Sequence, residues 1–139
     1  MTITEPTVAS STIRVTAYPS STLDAKLVPG TSDYVEFVFT SIIGPTAVLA
    51  YRNLLRRFAD EGEAYRLDVA ELAIQLGVPT AQATRAIKRL VDFRIARWDG
   101  DTLQVRLAIK PPSERVLAAR GAGLLETHHR ILATDLLQR

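Results

Sequence analysis

The chain contains no cysteine. Disulfides, thiolate metal sites and a cysteine nucleophile are therefore excluded, while a reducing compartment is permitted. No apolar run approaches the ~20 residues that cross a bilayer, and Met1 to Ser10 lacks a basic stretch followed by an apolar one. A cytoplasmic protein without a membrane anchor is expected. No glycine-rich phosphate loop follows a strand, no nucleophile elbow is present, and no pair of carboxylates has an evident cleft. The chain is accordingly expected to be no enzyme and to hold no cofactor. His128 and His129 are the two histidines. Being adjacent, they project about 100° apart on a helix, away from the one-face arrangement that a metal needs. Glu126 and Asp135 supply no third ligand at a recognised spacing, so structural or solvated histidines are expected and no metal is.

What the sequence does have is an ordinary soluble composition. Its 139 residues are 47% hydrophobic and 23% charged, enough for one domain with a small appendage. The formal charge of +2 hides an uneven distribution. Residues 1–39 carry two bases against four acids, whereas residues 80–110 carry seven bases against three acids. A polyanion would suit that second stretch; a solvated face is the ordinary alternative.

Local patterns divide the chain into three parts. Residues 1–39 read as a Ser/Thr-rich N-terminal arm that packs on the main body, interrupted by Pro6, Pro19 and Pro29. Within it, Ile13 to Tyr18 alternates like a strand, and Tyr34 to Thr40 reads as a strand on propensity or as the approach to a helix. Residues 40–110 begin with Gly44-Pro45, a helix start, after which Val48, Tyr51, Leu54, Leu55 and Phe58 recur at helical spacing. Asp68 is a suitable N-cap for a short helix with Leu72, Ala73 and Leu76 inward, and Gly77 stops it. Pro79-Thr80 starts the next helix, with Ala83, Ala86, Ile87, Leu90 and Val91 on its buried side. Residues 95–98 and 102–107 read as strands joined by the hairpin turn Asp99-Gly100-Asp101. Pro111-Pro112 closes this unit, and residues 111–139 read as a C-terminal helical extension, capped by Ser113 and interrupted at Gly121 and Gly123.

This order resembles the winged helix-turn-helix fold over about residues 44–110. The residues that carry the likeness are Leu72-Ala73-Ile-Gln-Leu76-Gly77-Val78, followed by Ala83, Ala86 and Ile87 and by the Asp-Gly hairpin. Ala73 must be small where the next helix crosses, Gly77 makes the turn, and Leu76 and Val78 fill the wedge. The expected class is mainly α with a small β-hairpin, an extended N-terminal arm and C-terminal helices. Asp33-Tyr-Val-Glu-Phe, Ile43-Gly44-Pro45-Thr46, Lys88 to Phe93, Pro111-Pro112 and His128 are similar to small uncharacterised winged-helix proteins of actinobacteria and their phages, a likeness that carries no site residues.

The resemblance implies double-stranded DNA as partner, read in the major groove by the helix Thr80 to Asp92, in a transcriptional regulator. Its outward positions are then the candidate site. Gln82 could read adenine, Arg85 guanine, and Thr84 could offer a hydroxyl or methyl, with Thr80 beside them. Lys88 and Arg89 suit phosphates, although Arg89 could instead pair with Asp92 or Asp68. Arg97 and Arg106 of the wing could track the backbone, while Asp99 and Asp101 at its tip would repel it. Trp98 reads as a lid on the core. Arg52, Arg56 and Arg57 form a basic face of the first helix that is either solvated or a phosphate contact. Leu124, Leu125, Ile131, Leu132, Leu136 and Leu137 exceed what one edge of a small domain needs to cover. They imply either a homodimer through the last helix or packing on Val48 to Phe58. The alternative function is a protein-interaction module that docks a larger assembly through the arm or the last helix.

Overall fold

The computed structural model describes residues 12–19 and 27–137, and the side chains within that range as far as Thr134. The Ser/Thr-rich segments 1–11 and 20–26, and the side chains of Leu136 and Leu137, lie outside the described residues. The molecule is mixed α and β, with a four-stranded sheet covered on one face by helices.

Strand β1 (Thr12–Ala17) buries Ile13 and Val15 and turns Thr12 and Arg14 to solvent, the alternation of a half-covered strand. Its position is the main departure from the sequence expectation of a small hairpin. β1 pairs antiparallel with β3 (Ala64–Asp68) on one side and parallel with β5 (Thr102–Val105) on the other, and β4 (Ala96–Asp99) completes the order β3-β1-β5-β4. The arm thus supplies an internal strand. A second, two-stranded ladder joins β2 (Val28–Pro29) to β6 (Ala108–Ile109).

Tyr34 to Thr40 is helical, and the strand reading is corrected. Val35–Phe39 forms a π-helical turn that runs into α1 (Thr40–Ile43). Val35, Val38, Phe39, Ile42 and Ile43 are buried while Phe37 is exposed. Steps of three and four define a helical face, so the period outweighs the β propensity of the individual residues. Gly44, at φ 92°, ends this segment in a conformation open to glycine, and Pro45 opens α2 (Pro45–Glu61).

Helix α2 is the centre of the core, with Ala47, Val48, Ala50, Tyr51, Leu54 and Leu55 buried. Phe58 meets Tyr65 edge to face at 5.1 Å, and the Tyr65 hydroxyl donates to the Leu54 carbonyl at 2.7 Å. α3 (Val69–Leu76) starts as expected at Asp68, whose carboxylate accepts from the Ala70 N–H at 2.9 Å. It ends at Gly77 in the left-handed region, where the Val78 N–H donates to the Ala73 carbonyl. After Pro79, α4 (Thr80–Asp92) buries Ala83, Ala86, Ile87 and Leu90 against α2 and α3.

The C-terminal pair is α5 (Glu114–Arg120), capped by Ser113, and α6 (Ala122–Leu137). α6 lies on α5 and on the π-helical turn, with Leu124, Leu125, Ile131 and Leu132 partly buried against the core. The expected seat of this helix on Val48 to Phe58 is corrected. Helix α2 is instead packed by α4, α1, β3 and α3. Among the described residues no helix is long and apolar enough to cross a membrane.

Candidate nucleic-acid interface

The candidate site rests on the outward side of α4, whose placement follows from local chemistry. The glycine turn at 77 sends the chain back across α3, and the small Ala83 and Ala86 let α4 lie close against its neighbours. Thr80, Arg85, Lys88 and Arg89 are exposed and Thr84 is half-buried. Thr80, Thr84 and Lys88 form one row at four-residue spacing, and Arg85 and Arg89 form the adjacent row.

Each polar group on this strip has a defined state. The Thr84 hydroxyl donates to the Thr80 carbonyl at 3.0 Å, which fixes its rotamer. Lys88 Nζ pairs with Asp92 at 3.1 Å across one helical turn. The Arg89 guanidinium lies over Phe93, 5.8 Å from the ring centroid, so neither Asp92 nor Asp68 is its partner. Arg85 makes no ion pair or side-chain hydrogen bond among the described residues.

Gln82 departs from its expected outward role. It is half-buried, and its Nε2 donates to Thr46 Oγ1 on α2 at 3.2 Å. Gln82, Ala86 and Leu90 share one four-residue row, and that row faces the core.

Arg97 and Arg106 also stand apart from α4. Alternation turns Ala96, Leu103 and Val105 inward, so Arg97, Gln104 and Arg106 project from the sheet face that the helices do not cover. Both guanidinium groups lie against Tyr18, 3.9 and 4.0 Å from its ring centroid. Arg97 also donates to Gln104 and to the Tyr18 hydroxyl, and Arg106 to the Arg94 carbonyl. Trp98, as expected, packs partly buried on the core side.

The same uncovered face carries two arginines that the sequence reading passed over. Arg14 and Arg66 are exposed and directly opposite in the β1–β3 register. Like charges so placed repel, and the sheet tolerates them without an acidic partner among the described residues. Only their parity within two alternating segments could have signalled this, once the pairing was known.

On α2, two of the three basic residues are engaged. Arg52 pairs with Glu36 at 2.9 Å and donates to the Thr31 carbonyl, while Arg57 bonds Asn53 and Gln75 and approaches Glu61. Arg56 is exposed and makes no such pair among the described residues. Most of this basic face is therefore engaged within the molecule, which leaves Arg56 as its uncommitted cation among the described residues.

The histidines give the second cluster. His128 is 5% exposed, and its Nδ1 lies 2.5 Å from the hydroxyl of fully buried Tyr34. His129 is exposed, with Nε2 2.6 Å from Glu114 Oε1. The expectation that no third ligand accompanies the histidines is corrected, because the α5–α6 turn carries Glu114 to them. Desolvation, and secondarily the charge of His129, holds the His128 imidazole below its ordinary value of 6.5. The hydrogen bond and then the charge of His129 hold the Glu114 carboxyl low. In both cases the unfolded chain takes up a proton more readily, so stability is complete above the unfolded pKa and is lost as pH falls through the folded one. The thermal unfolding midpoint is expected to decline as pH is lowered from 7.5 to 5.5, crossing the free histidine pKa of about 6.5. Melting curves across that interval check this, and the slope flattens in His128→Asn; an equal slope in wild type and variant would assign the decline to other groups.

No protein-family model, no curated protein and no solved structure matches this chain, and its function is read from its own geometry.

Proposed function

We propose that the chain is a winged helix-turn-helix protein that binds double-stranded DNA, as a transcriptional regulator, with α4 in the major groove. The observation that carries this reading is the outward strip of α4, where Thr80, Thr84, Arg85, Lys88 and Arg89 follow directly on the Gly77 turn. The order α2, β3, α3, α4, β4, β5 supports it, since it is that of the fold the sequence resembles. The insertion of β1 between β3 and β5 departs from a plain hairpin, and it leaves the α3–α4 unit unchanged.

Roles follow from position along α4. Arg85 sits in the N-terminal half, exposed and without an ion pair among the described residues, and carries a planar fork suited to guanine O6 and N7. Thr84 offers a methyl for thymine. Lys88 and Arg89, one turn later, suit phosphates. Moving Lys88 from Asp92 to a phosphate costs little, because an exposed pair of this kind is worth about 0–1 kcal/mol. Arg97 and Arg106 project from the uncovered face of the sheet against Tyr18, and this reading assigns them no base contact.

The test is selection from a random duplex pool at two salt concentrations with the full chain. One sequence class should be enriched, and log affinity should fall with log salt by about 0.9 per phosphate neutralised. Arg85→Ala should relax the preference by about 1–3 kcal/mol at one base pair while the salt slope changes by no more than about one. An unenriched pool together with salt-independent retention would overturn the reading.

A further inference from the structure

We propose that Glu114, His128 and His129 form a binding site for a borderline divalent transition-metal cation of the Zn2+ class. It stands independently of DNA binding. One ligand atom from each of the three residues lies within 4.8 Å of the other two. Donors on one tetrahedral zinc ion stand about 3.3 Å apart, given metal–ligand lengths near 2.0–2.1 Å. Glu114 Oε1 and His129 Nε2, now 2.6 Å apart, must open by less than 1 Å, and the wider separations must close by about 1.5 Å at most. Glu114 and His129 are both exposed and can make these adjustments by side-chain rotation alone.

The third donor is the fixed one. His128 is buried, and Tyr34 holds its Nδ1. Metal binding through Nε2 requires the tautomer whose Nδ1–H donates to the Tyr34 oxygen, the arrangement in which a hydrogen-bond partner behind a metal-binding histidine sets its tautomer and ring plane. Glu114 is positioned by the start of α5, where Ser113 Oγ accepts from the Val116 N–H. Three helical segments therefore converge on one point: α5 through Glu114, α6 through the histidines, and the π-helical turn through Tyr34 beside it.

Two imidazoles and one carboxylate favour zinc-class ions over Mg2+ and Ca2+, which prefer all-oxygen ligation. Water would fill the remaining coordination positions on the side of exposed Glu114 and His129. A bound ion would cross-link α5 to α6 and tighten both against the helix that carries Tyr34.

The experiment is titration of Zn2+ alone into the chelator-treated full chain, followed by calorimetry and by melting temperature, with Co2+ as the absorbing probe and Mg2+ as control. Saturable single-site binding is expected, with a raised melting temperature and the visible absorption of a low-coordinate Co2+ complex. Glu114→Gln and His129→Ala, both at exposed positions, should each weaken binding by about tenfold or more without loss of the fold. Tyr34→Phe should weaken it by a similar factor through the tautomer of His128. Binding by Glu114→Gln and His129→Ala as strong as that of the unsubstituted chain, an equal response to Mg2+, or no saturable binding at all would each overturn the proposal.

Discussion

Gly30→Ala is expected to destabilise the protein by about 3 kcal/mol, the upper part of the range for overpacking a filled interior. A Cβ at this position would fall inside the contact radius of Tyr51 Oη and Leu55 Cδ1 and 2.6 Å from Tyr51 Cζ. Gly30 is not needed here for its φ; it is needed for its missing side chain. The tyrosine and the glycine backbone are both held. Tyr51 is fully buried and its hydroxyl donates to the Arg106 carbonyl at 2.5 Å, while the Gly30 N–H itself donates to the Leu107 carbonyl at 2.9 Å. Relief would require α2 to move away from the segment that leads out of β5, breaking one or both hydrogen bonds. Urea unfolding should show a lowered midpoint with an unchanged slope, since the extent of surface exposed on unfolding is the same. In a Tyr51→Phe background the cost of Gly30→Ala should shrink, because one colliding atom is gone; additive costs would show that the hydroxyl is not the obstacle.

The contrast between Gly30 and the helices shows which features were legible in the sequence. Asp68, Gly77 and Pro45 act on the backbone within a few residues of themselves, so the starts and stops of α2, α3 and α4 could be read in place. The 99–101 turn was equally local, with Gly100 at φ 63° between two strands that could be seen to alternate. Gly30 offers no such mark. Its constraint comes from Tyr51 and Leu55, and a glycine near a proline reads only as a turn.

The candidate site was legible to the same degree. Arg85, Lys88 and Arg89 were placed outward because Ala83, Ala86, Ile87 and Leu90 define the inward side of α4. Gln82 could have been assigned to the core side from its four-residue step to Ala86. The partners of these groups were harder to read, since Lys88 and Arg89 compete for Asp92 and only rotamers decide between them. Glu114 meeting His129 depends on the reversal at Gly121, whose φ of 147° sets the angle between α5 and α6. Nothing in the spacing of 114 and 129 encodes that angle. The position of β1 was least legible of all. Its parallel pairing places Arg14 beside Thr102, and no local pattern connects segments so far apart.

That pairing supports the sharpest expected contrast, between two neighbouring residues of one strand. Val15 is fully buried in the middle of the sheet, opposite Tyr65 on β3 and Leu103 on β5. Val15→Asp would place a carboxylate among apolar side chains with no cation in reach on that face, a penalty of several kcal/mol. Total stabilities of about 5–15 kcal/mol leave little after such a loss, so the variant is expected to be largely unfolded or to melt far below the parent. Arg14 differs by a single step and faces solvent, directly opposite Arg66. Arg14→Asp turns a like-charged cross-strand pair into an opposite one, and a gain of about 0.2–1 kcal/mol is expected. Circular dichroism melts of the two variants test both statements together. If β1 were a peripheral arm lying loosely on the surface, both substitutions would be nearly neutral. If it were paired in a register shifted by one residue, their effects would exchange, because a one-residue slip sends every side chain of a strand to the opposite face.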